Sequence, residues 1–221
     1  MSDTQAWPQP GETVERLLRG PAGHIDALLA APKDPAMPAG IALICHPHPL
    51  MGGAMSNKVA YTLASSAQKA GLHALRFNFR GVGRSQGTHD EGRGETDDVV
   101  WLADWLRQQM PEARLVLMGF SFGAFVSLKA AARVKPFLQV SIAPPFEKYF
   151  NEPIPARPDC PWLVLHGRAD EVVNYDDTVR VLNTFTPPPQ LVGVDGVGHF
   201  FHARLGDIQN AVVPFLQLHW G

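Results

Sequence analysis

The chain has 221 residues, of which 45% are hydrophobic and 18% charged, and a formal net charge of −2. These values fit one globular domain able to bury a core of its own, and they exclude a disordered chain. Near neutrality, and with no basic run beside an amphipathic segment, the sequence carries no electrostatic footprint for nucleic acid.

Residues 1–12, MSDTQAWPQPGE, have no apolar period and are expected to form a loose or draped tail ahead of a single domain spanning 13–221. That start has neither the basic residues nor the apolar stretch of a signal peptide. Nowhere do about 18 apolar residues run together, the length a bilayer requires. A soluble cytoplasmic protein with no membrane partner is expected. Val14–Gly20 and Ile25–Ala30 read as two antiparallel strands turning at Pro21–Gly23, and Gly40–His46 (GIALICH) as a strand buried on both faces. Cys45 in that run reads as a small core residue, and with Cys160 it makes no disulfide framework.

The loop HPHPLMGG follows, and then a helix capped by Ser56 or Asn57, with Val59, Leu63, Ala64 and Ala67 on its apolar face and Gly71 at its end. Leu72–Phe79 is the next predicted strand. Thr96 is expected to cap a helix to Met110, with Asp97 and Asp98 favourably placed in its first turn. The remaining segments alternate: strand Leu115–Gly119, helix Phe122–Val134, strand Phe137–Ala143, strand Trp162–His166, helix Asp176–Thr184, strand Leu191–Val194 and helix Ala203–His219. Strands alternating with helices predict an α/β fold in three layers, a mostly parallel sheet covered on both faces. Fewer than twenty residues separate Ala143 from Trp162, too little chain for a lid subdomain.

Gly119-Phe120-Ser121-Phe122-Gly123 matches G-x-S-x-G, the turn that lifts a nucleophilic serine between a strand and a helix. Such a pattern arises by chance in roughly 7% of chains of this length at ordinary glycine usage, so the flanking strand RLVLM and helix FGAFVSLKAAARV give it its weight. A histidine base and a carboxylate to orient it should follow, each just past a strand end. Asp170, after LVLHGRA, and His199, after VDGVG, stand at those places. Glu171, Asp176 and Asp177 are alternative acids, and His166 and His202 alternative bases; His166 is expected to brace the Asp170 loop by hydrogen bonding.

Acyl transfer also needs donors for the developing oxyanion. One is the backbone N–H of Phe122. The other should come from His46-Pro47-His48-Pro49-Leu50, where proline has no N–H and His48 is the best placed of the three remaining donors. Two histidines flanking a proline, with no third ligand in sequence, do not suggest a metal. The glycines of Arg80–Gly87 do not match G-x-G-x-x-G, so a turn supporting the oxyanion loop is expected there in place of a nucleotide site.

The HPHPLMGG loop followed by NKV, the segment FRGVGRSQG and the elbow GFSFG together resemble the α/β-hydrolase superfamily, in its small lidless bacterial branch akin to dienelactone hydrolases and simple carboxylesterases. That resemblance covers about Val14 to Leu216. It implies a mostly parallel eight-stranded sheet with an antiparallel second strand, and cofactor-free hydrolysis of esters or related acyl bonds. Ser121 stands where dienelactone hydrolases carry cysteine, and HPHP is neither the HGGG of lipase-like enzymes nor the common HG. The expected partner is a small acyl ester in an open pocket walled by Leu50, Met51, Phe122, Pro145, Val172 and Phe200. Thioester or amide hydrolysis on the same triad, or a binding protein that kept the fold, are the alternatives; an exposed edge strand could support a homodimer.

Overall fold

In the computed structural model, which describes residues 6–37, 39–146 and 153–220, the apolar runs become one eight-stranded sheet. The strands are β1 (Thr13–Gly20), β2 (Gly23–Ala30), β3 (Gly40–Cys45), β4 (His73–Phe77), β5 (Arg114–Phe120), β6 (Leu138–Ile142), β7 (Trp162–Gly167) and β8 (Gln190–Val194). Their order is β1-β2-β4-β3-β5-β6-β7-β8, with β2 antiparallel to both neighbours and every other pairing parallel. The sheet is therefore mixed, as the short Pro21–Gly23 connection requires: a tight turn can only return the chain antiparallel.

The continuous apolar strands are buried on both faces because helices cover both. On β3, Ala42 and Ile44 enter a cluster with α1 (Lys58–Lys69) and α5 (Leu205–Trp220), while Ile41, Leu43 and Cys45 enter another with α2 (Arg93–Gln109) and α3 (Phe122–Val134). A third cluster joins Phe125 and Leu128 of α3 to Trp162 and Val164 of β7 and to Val181 and Leu182 of α4 (Tyr175–Leu182). Each large side chain so buried contributes about 1.5–3 kcal/mol.

Several boundaries differ from expectation by a residue or more, and two of them have clear local reasons. Helix α2 starts three residues before Thr96. Gly92 caps it in the left-handed conformation (φ 86°), and the Glu95 carboxylate accepts the N–H groups of Gly92 and Asp90. Thr96 instead bonds back to Gly92 O, and Asp98 is buried against Arg80 through two bonds of 2.8 and 2.9 Å. The last helix starts at Leu205, since Phe201 and Ala203 both have positive φ. Within the segment read as a tail, Trp7 lies against the rings of Trp105 and His73, and the Gly11 N–H donates to Pro32 O; residues 1–5 lie outside the described residues. Between β6 and β7 the described residues contain neither helix nor strand.

Candidate active site

Parallel strands all end at one edge of the sheet, and the chain leaves β5 there through a sharp turn at Ser121. Ser121 has φ 52° and ψ −122°, a strained conformation for a residue with a side chain. It is held because its N–H donates to Ile142 O of β6 while its carbonyl accepts from Ala124 and Phe125 of α3. The flanking glycines are needed for close approach. A Cβ on Gly119 would sit 2.3 Å from Gly123 O, and one on Gly123 would sit 2.3 Å from Cys45 O and 2.4 Å from His46 O. The elbow thus packs backbone against backbone, against α3 and the end of β3.

The loops after β7 and β8 bring Asp170 and His199 to the same place. They are tied together by Arg168 N–H to Val194 O and Ala169 N–H to Val197 O. A Cβ on Gly167 would meet Val197 O at 2.2 Å, so glycine there lets the two loops close. His199 Nδ1 lies 2.8 Å from Asp170 Oδ2, and His199 Nε2 lies 3.1 Å from Ser121 Oγ. A carboxylate can only accept, so the proton sits on Nδ1 and Nε2 presents its lone pair to the hydroxyl. Ser121 and His199 are 3% and 2% exposed, which keeps the pair largely out of water.

Asp170 is the most heavily hydrogen-bonded group of the site. Its Oδ1 accepts the N–H groups of Val172 (2.8 Å) and Val173 (2.7 Å), and its Oδ2 accepts from both His199 and His166. Burial pushes its carboxyl up, but the bonds from His166, His199 and the Val173 N–H together hold it well below the usual carboxylate range. Glu171, an alternative acid in sequence, instead accepts the backbone N–H of His199. Asp176 and Asp177 lie in the first turn of α4, and His202 is exposed beside the ring of Phe200.

Across the cleft, His48 caps a short 3₁₀ turn at Pro49–Met51. The His48 ring accepts the Leu50 N–H, which occupies one of the three donors left by the prolines. The His48 carbonyl accepts from Met51 and Gly53, so the loop is folded on itself. Its ring packs on that of Phe122 at 4.8 Å, which sets the loop beside the first residue of α3. His46 braces the loop from below: its Nδ1–H donates to Pro47 O and its Nε2 accepts the Phe79 N–H at 3.0 Å. Burial pushes the His46 imidazole down to about 4 against the opposing pull of the Pro47 bond, so the ring is neutral at physiological pH. The turn after β4 thereby supports the loop, and Asn78 Oδ1 in addition accepts the Met55 N–H.

Of the six residues expected to wall a pocket, Pro145 and Val172 line a cavity of about 310 Å³ together with Phe146, Val173, Asn174, Asp177 and Thr178. Leu50, Met51 and Phe200 stand exposed on the surface, and the Phe122 ring is buried beneath His48 and His89. Sequence reasoning missed the bracing ring of His46 and the bond from Glu171. Neither has a local signal, because the partners lie 33 and 28 residues away. Among the described residues, no group of three or more His, Cys, Asp or Glu is arranged to hold a metal ion, and no helix is long and apolar enough to cross a membrane.

Residues 43–140 match the family model described as the alpha/beta hydrolase fold. XC6422 of Xanthomonas campestris, described as an a/b serine hydrolase without lid, is 40% identical, with a TM-score of 0.84 over 96% of this chain and 95% of that one. An alpha-beta serine hydrolase homologue of Coxiella burnetii is 37% identical, with a TM-score of 0.87 over 96% of this chain and all of the other. The uncharacterized protein RP471 of Rickettsia prowazekii is 36% identical over 214 residues, 90% of this chain and 87% of its own length. Sheet order, elbow and kinship agree: the chain belongs to the α/β-hydrolase superfamily, in its small lidless branch.

Proposed function

We propose that the chain hydrolyses small carboxylic esters through an acyl-enzyme on Ser121, with His199 as general base and acid and Asp170 as its orienting carboxylate. The observation that carries this reading is the continuous hydrogen-bond line from Asp170 Oδ2 through His199 to Ser121 Oγ, at 2.8 and 3.1 Å. His199 Nε2 takes the hydroxyl proton as Oγ attacks the ester carbonyl, and later delivers it to the departing alcohol. Water then enters by the same route in reverse and releases the acid. The backbone N–H groups of Phe122 and His48 receive the oxyanion, the first of them with the dipole of α3 behind it.

Substrate size follows from the space available. Ligand sites run from about 300 to 1,000 Å³, and a cavity of about 310 Å³ beside the Asp170 loop takes a compact group. Its walls pair apolar Pro145, Phe146, Val172 and Val173 with polar Asn174, Asp177 and Thr178, and the Asp177 carboxylate disfavours a negatively charged group there.

A fluorophosphonate probe and a series of p-nitrophenyl esters test the reading. The wild-type protein should label at Ser121 and turn over acetate and butyrate esters in preference to long-chain ones. Ser121→Ala should lose labelling and about 10⁴–10⁶ in turnover. Ester hydrolysis that survives Ser121→Ala at the wild-type rate would refute the mechanism, and a preference for long chains would refute the size argument.

A further inference from the structure

Asp170 Oδ2 has two imidazole donors where orienting one base requires a single donor. His166, the penultimate residue of β7, is 0% exposed and places Nε2 3.1 Å from Asp170 Oδ2 and 3.0 Å from Val173 O. Both neighbours are acceptors, so the proton of His166 sits on Nε2 and is shared between them. Its Nδ1 is buried without a hydrogen-bond partner among the described residues. A leucine or phenylalanine would fill that space without the unsatisfied Nδ1, a cost of about 1–3 kcal/mol, but would withdraw the donor from Asp170 Oδ2 and Val173 O. The ring is therefore poorly explained as packing, and its one productive nitrogen points at the group that orients His199.

We infer that His166 is a positioning residue that sets the proton affinity of His199 by sharing the Asp170 oxygen to which His199 is bonded. This rests on the triad reading above. A second N–H on Oδ2 draws off part of the negative charge that would otherwise face the imidazole. It leaves a carboxylate strong enough to hold Nδ1–H but less able to stabilise the imidazolium. The other titratable groups facing this chain are few. Glu171 takes the backbone N–H of His199, Ser121 faces its Nε2, and His202 lies beyond the Phe200 ring. Tyr175 meets the His166 ring edge-on at 5.6 Å, with the Arg168 guanidinium on its ring.

The test is the pH profile of kcat/KM for p-nitrophenyl acetate in wild type, His166→Leu and His166→Gln, with fluorophosphonate labelling alongside. Removing the donor returns the full carboxylate charge to His199, favours its imidazolium and moves the acid limb to higher pH, by roughly 0.5–1 unit. Glutamine carries an N–H at the position of the imidazole Nε2 and should bring the limb back. A purely structural ring predicts instead a loss of rate at every pH with the limb unmoved, and that result in His166→Leu overturns the inference, as does a shifted limb that glutamine fails to restore. Should the variants not fold, imidazole nitrogen NMR of the wild type decides: a proton on Nε2 and none on Nδ1 of His166 supports the inference, and the opposite tautomer overturns it. Absence of Ser121 labelling in wild type would strike the triad reading itself, whereas labelling with an unmoved limb strikes only the role of His166.

Discussion

Gly123→Ala separates close approach from conformational freedom at the elbow. Gly123 lies in α3 and does not have positive φ, so alanine is allowed by the backbone and, by helix propensity alone, should stabilise by about 1 kcal/mol. The added Cβ would nevertheless lie 2.3 Å from Cys45 O, 2.4 Å from His46 O and 2.6 Å from Cys45 C. All three are backbone atoms at or just past the end of β3, where Cys45 pairs with Gly119 of β5, and none can rotate away. Relief to an ordinary contact near 3.5 Å requires the first turn of α3 and the strand end to part by about 1 Å. Overpacking of this kind costs about 1–3 kcal/mol or more, which outweighs the gain in propensity.

The same shift carries Phe122, the proposed oxyanion donor, away from the His48 loop, and displacement by that distance should cost ~10²-fold in rate. Scanning calorimetry should then show a Tm lowered by about 2–8 °C. The rate of fluorophosphonate labelling at Ser121 should fall by about two orders of magnitude in the same sample. Unchanged or raised Tm together with wild-type labelling would show that the elbow tolerates a side chain there, and the reasoning from close approach would be wrong.

Two further variants probe charge. Arg80→Met leaves Asp98, 1% exposed, without its bidentate partner; burial already pushes that carboxyl up and Arg80 is what opposes it, so urea unfolding should show a loss of about 3–5 kcal/mol. A loss under 1 kcal/mol would show the pair to be dispensable. For Asp170 the folded carboxyl lies below its unfolded value of about 3.9. Its contribution is therefore complete above that pH and is lost as pH falls toward the folded value. The stability gap between wild type and Asp170→Asn should narrow as pH falls below about 4; a gap that holds steady from about pH 4 to about pH 3 contradicts the hydrogen-bonding pattern drawn for this group.

Much of the site is readable from one strand at a time. The elbow at Ser121, and Asp170 and His199 each just past a strand end, follow from local patterns of apolar run, glycine and polar residue. The helix start at Thr96 was misread because a threonine before an apolar period is an ordinary cap signal. The real cap uses Gly92 in a left-handed conformation, with Glu95 reaching back to it, and two acceptor oxygens on one buried carboxylate outcompete a hydroxyl. The residues expected to wall an open pocket divide between a cavity and the surface. Leu50 and Met51 are apolar and near the site in sequence, but the 3₁₀ turn at Pro49–Met51 carries them outward, 71% and 78% exposed.

Periodicity and residue type by themselves determined the strands, the helices, the three-layer fold and the places of Ser121, Asp170 and His199 just past their strand ends, because each depends on neighbours within a few positions along the chain. Tertiary structure alone decided that His46 bonds to Phe79, that Glu171 serves a backbone N–H, and that His166 and His199 share one oxygen of Asp170. Those contacts depend on the register of several strands and on where their loops cross at the sheet edge, and no spacing within a single segment encodes the distance between two loops.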